Sequence, residues 1–138
     1  MADESLFHEL AFYTLERRDP EFIHQHAVDA FAAQNANEDS KPIAVYFALI
    51  GLYLYIEKGF TGRQVQLAHM QLARHRKQWP TFSMPAARGE VTVAHVLAAK
   101  PGEPRDAMIR AWCASVWQAW SVNHAAIRVL VRSELGIE

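Results

Sequence analysis

The sequence has very little cysteine and no excess of charge of either sign. Cys113 is its only cysteine, which rules out an intramolecular disulfide and favours a reducing compartment. Fourteen lysines and arginines are balanced by fifteen aspartates and glutamates, so the formal net charge is -1. A near-neutral chain with mixed charges has no electrostatic attraction to nucleic acid or to an anionic membrane. We therefore expect neither of them as a partner.

The sequence also lacks a hydrophobic run long enough to cross a membrane. Its longest apolar run, PIAVYFALIGLYLYI at 42–56, has fifteen residues, fewer than the ~18 to 20 that a span needs. The first residues, MADESLFHEL, do not combine a basic segment with an apolar one, so we expect a cytoplasmic protein. Because the run has no polar face at a helical period, it predicts a fully buried central helix.

Helical periodicity is present in most of the remaining chain. It predicts helices over 5–18, 21–35, 62–77 and 104–135, and a short helix over 92–99. Thr61-x-x-Gln64 is a capping box at the start of the helix over 62–77. Residues 79–91 contain two prolines and one glycine, which predict an aromatic loop that could cover a site. The expected fold is all-α: one domain, residues 1–138, in which a bundle of four main helices and at least one short helix surrounds the helix over 42–56.

Several polar side chains fall on the inward faces of these predicted helices. They are His24, Gln34, Tyr46, Tyr53, Glu57, His69 and Asn123, with His124 at an edge. A buried polar group without a partner costs ~1 to 3 kcal/mol, so such a set should either satisfy itself or hold a ligand. The pattern predicts an internal pocket of histidine, tyrosine, glutamate and asparagine side chains.

The residue types of this predicted pocket suit a divalent metal ion. His24, His69 and His124 are candidate imidazole ligands for zinc, iron, nickel or manganese. No spacing motif such as His-Glu-x-x-His or Cys-x-x-Cys is present. Only tertiary contacts could therefore assemble the metal site.

Four side chains are candidates for catalysis: Glu57, Tyr53, Asp29 and Asn123. Either carboxylate could act as a metal ligand or a base, and the tyrosine could orient a ligand. The amide lies in the middle of the last apolar stripe, so we expect it to bond Tyr46, Tyr53, His24 or His69. Structural alternatives stay open: core histidines bonded to backbone carbonyls, an asparagine that fixes helix register, and His26 with Asp29 as a solvated pair on a polar face.

Three segments resemble a family of uncharacterised bacterial all-helical proteins. They are FIHQHAVDAFAAQ at 22–34, GLYLYIEKGFTGRQVQLAH at 51–69, and WCASVWQAW at 112–120 with the Asn-His pair that follows shortly after. The family motifs are Val-Asp-Ala-aromatic-Ala-x-Gln followed by His, and Ser-Val-Trp-x-x-Trp followed by paired histidines. This chain has Asn35 and Asn123 where those motifs have histidine. The resemblance implies a shared architecture and emphasises Asp29, Gln34, His69, Trp117 and His124, but it implies no activity.

Two hypotheses about function follow from these patterns. The first is a small cytoplasmic enzyme that acts on a small molecule in the predicted polar pocket, with a divalent metal as its cofactor. The second is a non-catalytic binding or assembly module that forms a homodimer through its tryptophan-rich C-terminal helix, because tryptophan is enriched in interface anchors. Metal content would distinguish the two hypotheses, and so would the oligomeric state.

Overall fold

The computed structural model describes residues 2–75 and 78–138, with the side chains of residues 4–75 and 78–138. Helices account for 70% of the residues, and the described part contains no strand. The all-α prediction is therefore confirmed. The helices are α1 (Ala2–Glu16), α2 (His24–Gln34), α3 (Pro42–Lys58), α4 (Gly62–His75), α5 (Val93–Ala98), α6 (Glu103–Ala119) and α7 (His124–Leu135).

Helix α3 contributes the largest share of the buried residues. From Val45 to Leu54 every residue is buried except Phe47, which is half-buried. The ends of the helix are exposed at Pro42 and Glu57, so burial does not extend along the whole predicted run. The helix contacts α2, α4, α6 and α7. It ends at Gly59, whose φ of 71° gives the left-handed turn that glycine adopts without strain.

Helix α2 begins three residues later than its apolar pattern predicts. Phe22 has a φ of 58°, a left-handed conformation that no helix continues through. The carboxylate of Asp19 then accepts a hydrogen bond of 2.9 Å from the backbone N–H of Ile23. This bond satisfies a donor at the start of the helix, which accounts for its start at His24.

Local sequence signals set the starts of α4 and α5 correctly. The Thr61 hydroxyl accepts from the backbone N–H of Gln64 at 3.1 Å, and the Gln64 side chain accepts from the N–H of Thr61 at 2.9 Å. The predicted capping box is thus confirmed. Thr92 caps α5 as expected. The predicted end of α4 at residue 77 lies outside the described residues.

The prediction of one helix over 104–135 is wrong, because α6 ends at Ala119 and a second helix, α7, begins at His124. A single turn of 3-10 helix, Ser121–Asn123, separates α6 from α7. Trp120, Asn123 and Ile127 are all buried despite the break. The apolar stripe thus continues through the turn, so periodicity alone did not reveal the interruption of the helix.

The segment over 79–91 is irregular, as its prolines predict, and it covers part of the core. The rings of Trp79 and Phe82 lie 5.2 and 6.3 Å from the ring of Tyr46. Arg88 donates to the carbonyl oxygens of Ala33 and Ala36 at the end of α2, at 3.2 and 2.6 Å. The loop therefore closes the core at the carboxyl end of α2.

No helix in residues 2–75 and 78–138 is long and apolar enough to cross a membrane.

Candidate functional site

The three predicted metal ligands lie at three separate helix contacts. His24 Nδ1 is 2.8 Å from a threonine hydroxyl of α1. His69 Nε2 is 2.7 Å from the carbonyl oxygen of Phe47, and His124 Nε2 is 2.7 Å from that of Trp117. Among the described side chains, no group of three or more His, Cys, Asp or Glu residues is arranged to hold a metal ion. The structure does not bring these three imidazoles together.

Glu57 and Tyr53, two of the four predicted catalytic residues, both contact Trp117, and the ring of His124 is stacked on the same indole at 3.8 Å. The indole N–H of Trp117 donates to Glu57 Oε2 at 2.7 Å, and its ring lies 5.8 Å from the ring of Tyr53. Arg128 is 3.6 Å from the same carboxylate, which is exposed. Glu57 therefore links α3 to α6 and α7 at the surface.

Asn123 has partners other than the predicted ones. Its amide accepts from the backbone N–H of Ser83 at 3.0 Å and donates to the Ser83 carbonyl at 2.8 Å. The expectation that it bonds a tyrosine or histidine in the core is wrong. The amide thus holds the loop over 79–91. Gln34 holds the same loop by donating to the Val91 carbonyl at 2.8 Å. The Gln34 side chain also accepts from the indole N–H of Trp112 at 2.9 Å.

The placement of His26 and Asp29 on a solvated face is also wrong. The two residues are only 4% and 3% exposed. Helix α2 contacts α1, α3, α4 and α6, so neighbours cover it on nearly every side. An assignment from one apolar stripe treats the opposite side as exposed, and that assumption fails for a helix inside a bundle.

His26 forms part of the wall of a cleft of about 580 Å³ between the start of α2, the end of α3 and the first turns of α6. Side chains that can bind a polar ligand line it: Arg17, Asp19, His26, Tyr55, Asp106 and Arg110. The His26 imidazole stacks on the Tyr55 ring, with centroids 3.5 Å apart and planes at 8°. The Arg110 guanidinium lies 5.1 Å from the centre of the Tyr55 ring.

Burial keeps the His26 imidazole uncharged. Desolvation lowers its pKa to about 4, and the Arg110 charge acts in the same direction, while Asp19 opposes it. Burial also raises the pKa of the Tyr55 hydroxyl. His26 Nδ1 is a buried atom that has no hydrogen-bond partner within the described part of the chain. At neutral pH a neutral imidazole therefore forms part of the cleft wall.

A second titratable group lies behind this wall, one turn along α2. Asp29 Oδ1 accepts from the Gln25 amide at 3.1 Å, but its Oδ2 has no hydrogen-bond partner in the described region. Burial raises the pKa of this carboxyl group well above its ordinary value. The nearby Cys113 thiol donates to the His26 carbonyl at 3.5 Å, and burial raises its pKa as well. Burial thus disfavours the charged form of both groups, and the Cys113 thiol is not a nucleophile at neutral pH.

The loop at the rim of the cleft is held in a strained shape. Arg18 and Phe22 have φ angles of 49° and 58°, which non-glycine residues rarely adopt. The N–H of Arg63 donates to the Glu21 carbonyl at 2.9 Å. A Cβ at Gly62 would lie 1.8 Å from the Phe22 carbonyl oxygen, so glycine permits this close approach of α4. The loop is thus fixed by its neighbours.

Sequence reasoning did not identify Tyr55 or Arg110 as site residues. Tyr55 lay in an apolar run and Arg110 on a helix rich in charges, so neither residue stood out. The one signal that could have found the site is the family motif around Asp29, because His26 is three residues before this acid. That spacing puts both side chains on one side of α2.

The chain belongs to a family of unknown function, DUF5946, which it matches over residues 4–121. The family resemblance expected from the sequence is confirmed. The matched range includes every residue that lines the cleft and ends before Asn123 and His124. Searches of curated proteins and of solved structures gave no match.

Proposed function

We propose that the protein binds a small polar molecule in the cleft between α2, α3 and α6, and that His26 is the proton acceptor there. One observation carries this proposal: a buried, neutral imidazole stacked on Tyr55 lines the same cleft as the Arg110 guanidinium and the Asp19 carboxylate. Perturbed titratable groups in a cleft are typical of functional sites.

The chemistry of His26 suits proton acceptance at neutral pH. An uncharged imidazole has one nitrogen with a free lone pair, whereas imidazolium has none. Tyr55 stacks on the ring and fixes its plane, so a ligand in the cleft meets an acceptor of defined orientation. Positioning of this kind is what general base catalysis requires.

Binding to the cleft is tested by NMR titration of the isotope-labelled protein with acetate, inorganic phosphate, methylammonium and glycine. We expect at least one of these probes to shift signals of His26, Tyr55 and Arg110 in a saturable way. His26→Gln should weaken that binding about tenfold, the value of a hydrogen bond of ~1.4 kcal/mol.

The matched control is His75→Gln, since His75 is exposed on α4. This variant should bind the probe as the wild type does. Saturable shifts confined to residues outside the cleft, or none with any probe, would contradict the proposed site.

Metal dependence and homodimerisation stay predictions of the sequence. His24, His69 and His124 lie apart, so the geometry favours a site that works without them. Metal analysis of protein purified without an affinity tag tests the metal prediction, and sedimentation tests the dimer.

We also propose that residues 1–138 form one domain, a bundle arranged around α3. The buried segment of α3 and its contacts with α2, α4, α6 and α7 support this arrangement. A cytoplasmic location is part of the same proposal, supported by the single cysteine.

A further inference from the structure

We infer that the ligand of this cleft is a zwitterion, a small molecule that carries both a carboxylate and a protonated amine, as amino acids do. This inference rests on the proposed function and names the chemical class of the ligand. It follows from which charges in the cleft are already paired and which are not.

Two of the charged side chains neutralise each other. Arg17 forms an ion pair and a hydrogen bond with Asp106. Arg17 also donates to the Tyr13 hydroxyl at 2.9 Å. Both contacts are made by Arg17 Nη1, and the ion pair with Asp106 means that Arg17 contributes little net charge to the cleft.

Arg110 is the unpaired cation of the cleft. No carboxylate in the described part of the chain lies within ion-pair distance of its guanidinium, which rests against the Tyr55 ring. An arginine beside an aromatic ring has five N–H donors, so contact with Tyr55 still leaves donors for a carboxylate. Arg110 is therefore the binding site for the anionic end of the ligand.

Asp19 and Glu21, on the rim loop, are the unpaired anions. Neither carboxylate has an arginine or lysine partner in the residues that the structure describes. Asp19 uses one oxygen to accept from the N–H of Ile23 and keeps the other for a ligand. Because contacts with α4 fix the loop, these carboxylates are held in place before a ligand arrives.

His26 lines the same cleft as both kinds of charge. The charges of Asp19 and Arg110 both act on its imidazole, in opposite directions, so each is close enough to influence the ring. A molecule that contacts both charges is held beside this ring. A ligand with only one charge would leave either the guanidinium or the carboxylates without an ion partner.

The inference is tested by calorimetric titration with glycine, β-alanine and 4-aminobutyrate, with acetate and methylammonium as single-charge references. The three zwitterions differ in the separation of their charges, so the best binder reports the spacing in the cleft. We expect it to bind at least about tenfold more tightly than either reference, since each charge-assisted contact adds ~1.5 kcal/mol or more.

Two substitutions assign the two ends of the ligand. Arg110→Gln should remove the advantage over methylammonium, and Asp19→Asn should remove the advantage over acetate. Asparagine can still accept from Ile23 N–H, so the start of α2 is preserved. Arg74→Gln and Glu9→Gln, at exposed sites outside the cleft, are the matched controls and should not change affinity. If Asp19→Asn fails to fold, Glu21→Gln takes its place.

Failure of this inference is distinguishable from failure of the proposed site. If acetate or phosphate shifts cleft residues as strongly as any zwitterion, and Asp19→Asn has no effect, the ligand is a simple anion and the site stands. If methylammonium binds best and Arg110→Gln does not change its affinity, the ligand is a simple cation. If no zwitterion binds more tightly than the references, the inference is overturned.

Discussion

The carboxyl group of Asp29 occupies the space beside Gly51. A Cβ at position 51 would lie 1.9 Å from Asp29 Oδ2 and 2.7 Å from its Cγ. Such distances are far below van der Waals contact, so with Asp29 in this position only glycine fits at position 51. The glycine lets α2 approach α3 closely enough to bury the Asp29 carboxyl group.

Gly51→Ala should destabilise the protein by about 2 to 3 kcal/mol, because the new methyl group overpacks the contact. Helix propensity alone predicts the opposite change in stability, because alanine in a helix is more stable than glycine by about 0.5 to 1 kcal/mol. Urea denaturation therefore separates the two effects by the direction of the change. A variant as stable as the wild type would show that the Asp29 carboxyl group does not lie against Gly51.

The contact between Asp29 and Gly51 also predicts that substitutions at the two positions have non-additive effects on stability. In an Asp29→Ala background the methyl group has room, so Gly51→Ala should cost at least about 1 kcal/mol less than in the wild type. Equal costs in both backgrounds would mean that the clash lies elsewhere.

Residue types indicated a polar interior, but only the tertiary structure shows which polar atoms meet. Gln34 and Asn123 were predicted inward, and both bind loop backbone, while Gln34 also bonds the core side chain of Trp112. His26 and Asp29 were assigned to the wrong face. Periodicity records where apolar residues recur, and it contains no information about how many neighbours surround a helix.

The turn at Trp120–Asn123 ties α6 and α7 to the loop over 79–91. Asn123 makes both of its amide hydrogen bonds to the Ser83 backbone. Ser115 on α6 holds the same segment by accepting from the N–H of Glu90 at 3.1 Å. The loop is therefore anchored at both ends by α6 and the turn that follows it.

Asn123→Leu should destabilise the protein by about 1 to 3 kcal/mol, because it leaves a partly buried backbone N–H and carbonyl of Ser83 without partners. The Ser83 amide should also exchange its hydrogen faster. Urea denaturation and hydrogen exchange measure the two effects. Gln118→Leu, at an exposed amide on α6, is the control and should change stability by less than about 0.5 kcal/mol. Unchanged exchange at Ser83 would contradict this role for Asn123.

Local signals predicted the helices better than they predicted the connections. The capping box at Thr61 and the glycine at 59 fixed two boundaries, since each acts through its own neighbours. The break after Ala119 has neither proline nor glycine. It depends on contact with a loop some forty residues earlier, so no local pattern could reveal it.

The tryptophans of α6 and the turn are buried within the chain itself. Trp112, Trp117 and Trp120 are 0%, 3% and 0% exposed. They were the reason to expect a homodimer through this region, and in the structure they already have intramolecular neighbours. A homodimer thus stays a prediction that needs a different surface.

The cleft is formed by residues that are far apart in the sequence. Its polar side chains come from 17–26, from Tyr55, and from Asp106 and Arg110, which are distant in sequence. Helix packing brings these segments together. The sequence could supply candidate residues, but their convergence depends on the arrangement of α2, α3 and α6.

The pKa of the His26 imidazole tests the central claim most directly, since the proposed role depends on a desolvated, neutral ring at the cleft. It can be measured by following the ring carbon signals of labelled histidine as the pH falls from 8. We predict that His26 stays neutral to about pH 4, or until the protein unfolds. Protonation near the ordinary value of about 6.5 in the folded protein would show that water solvates the ring, and would contradict the account.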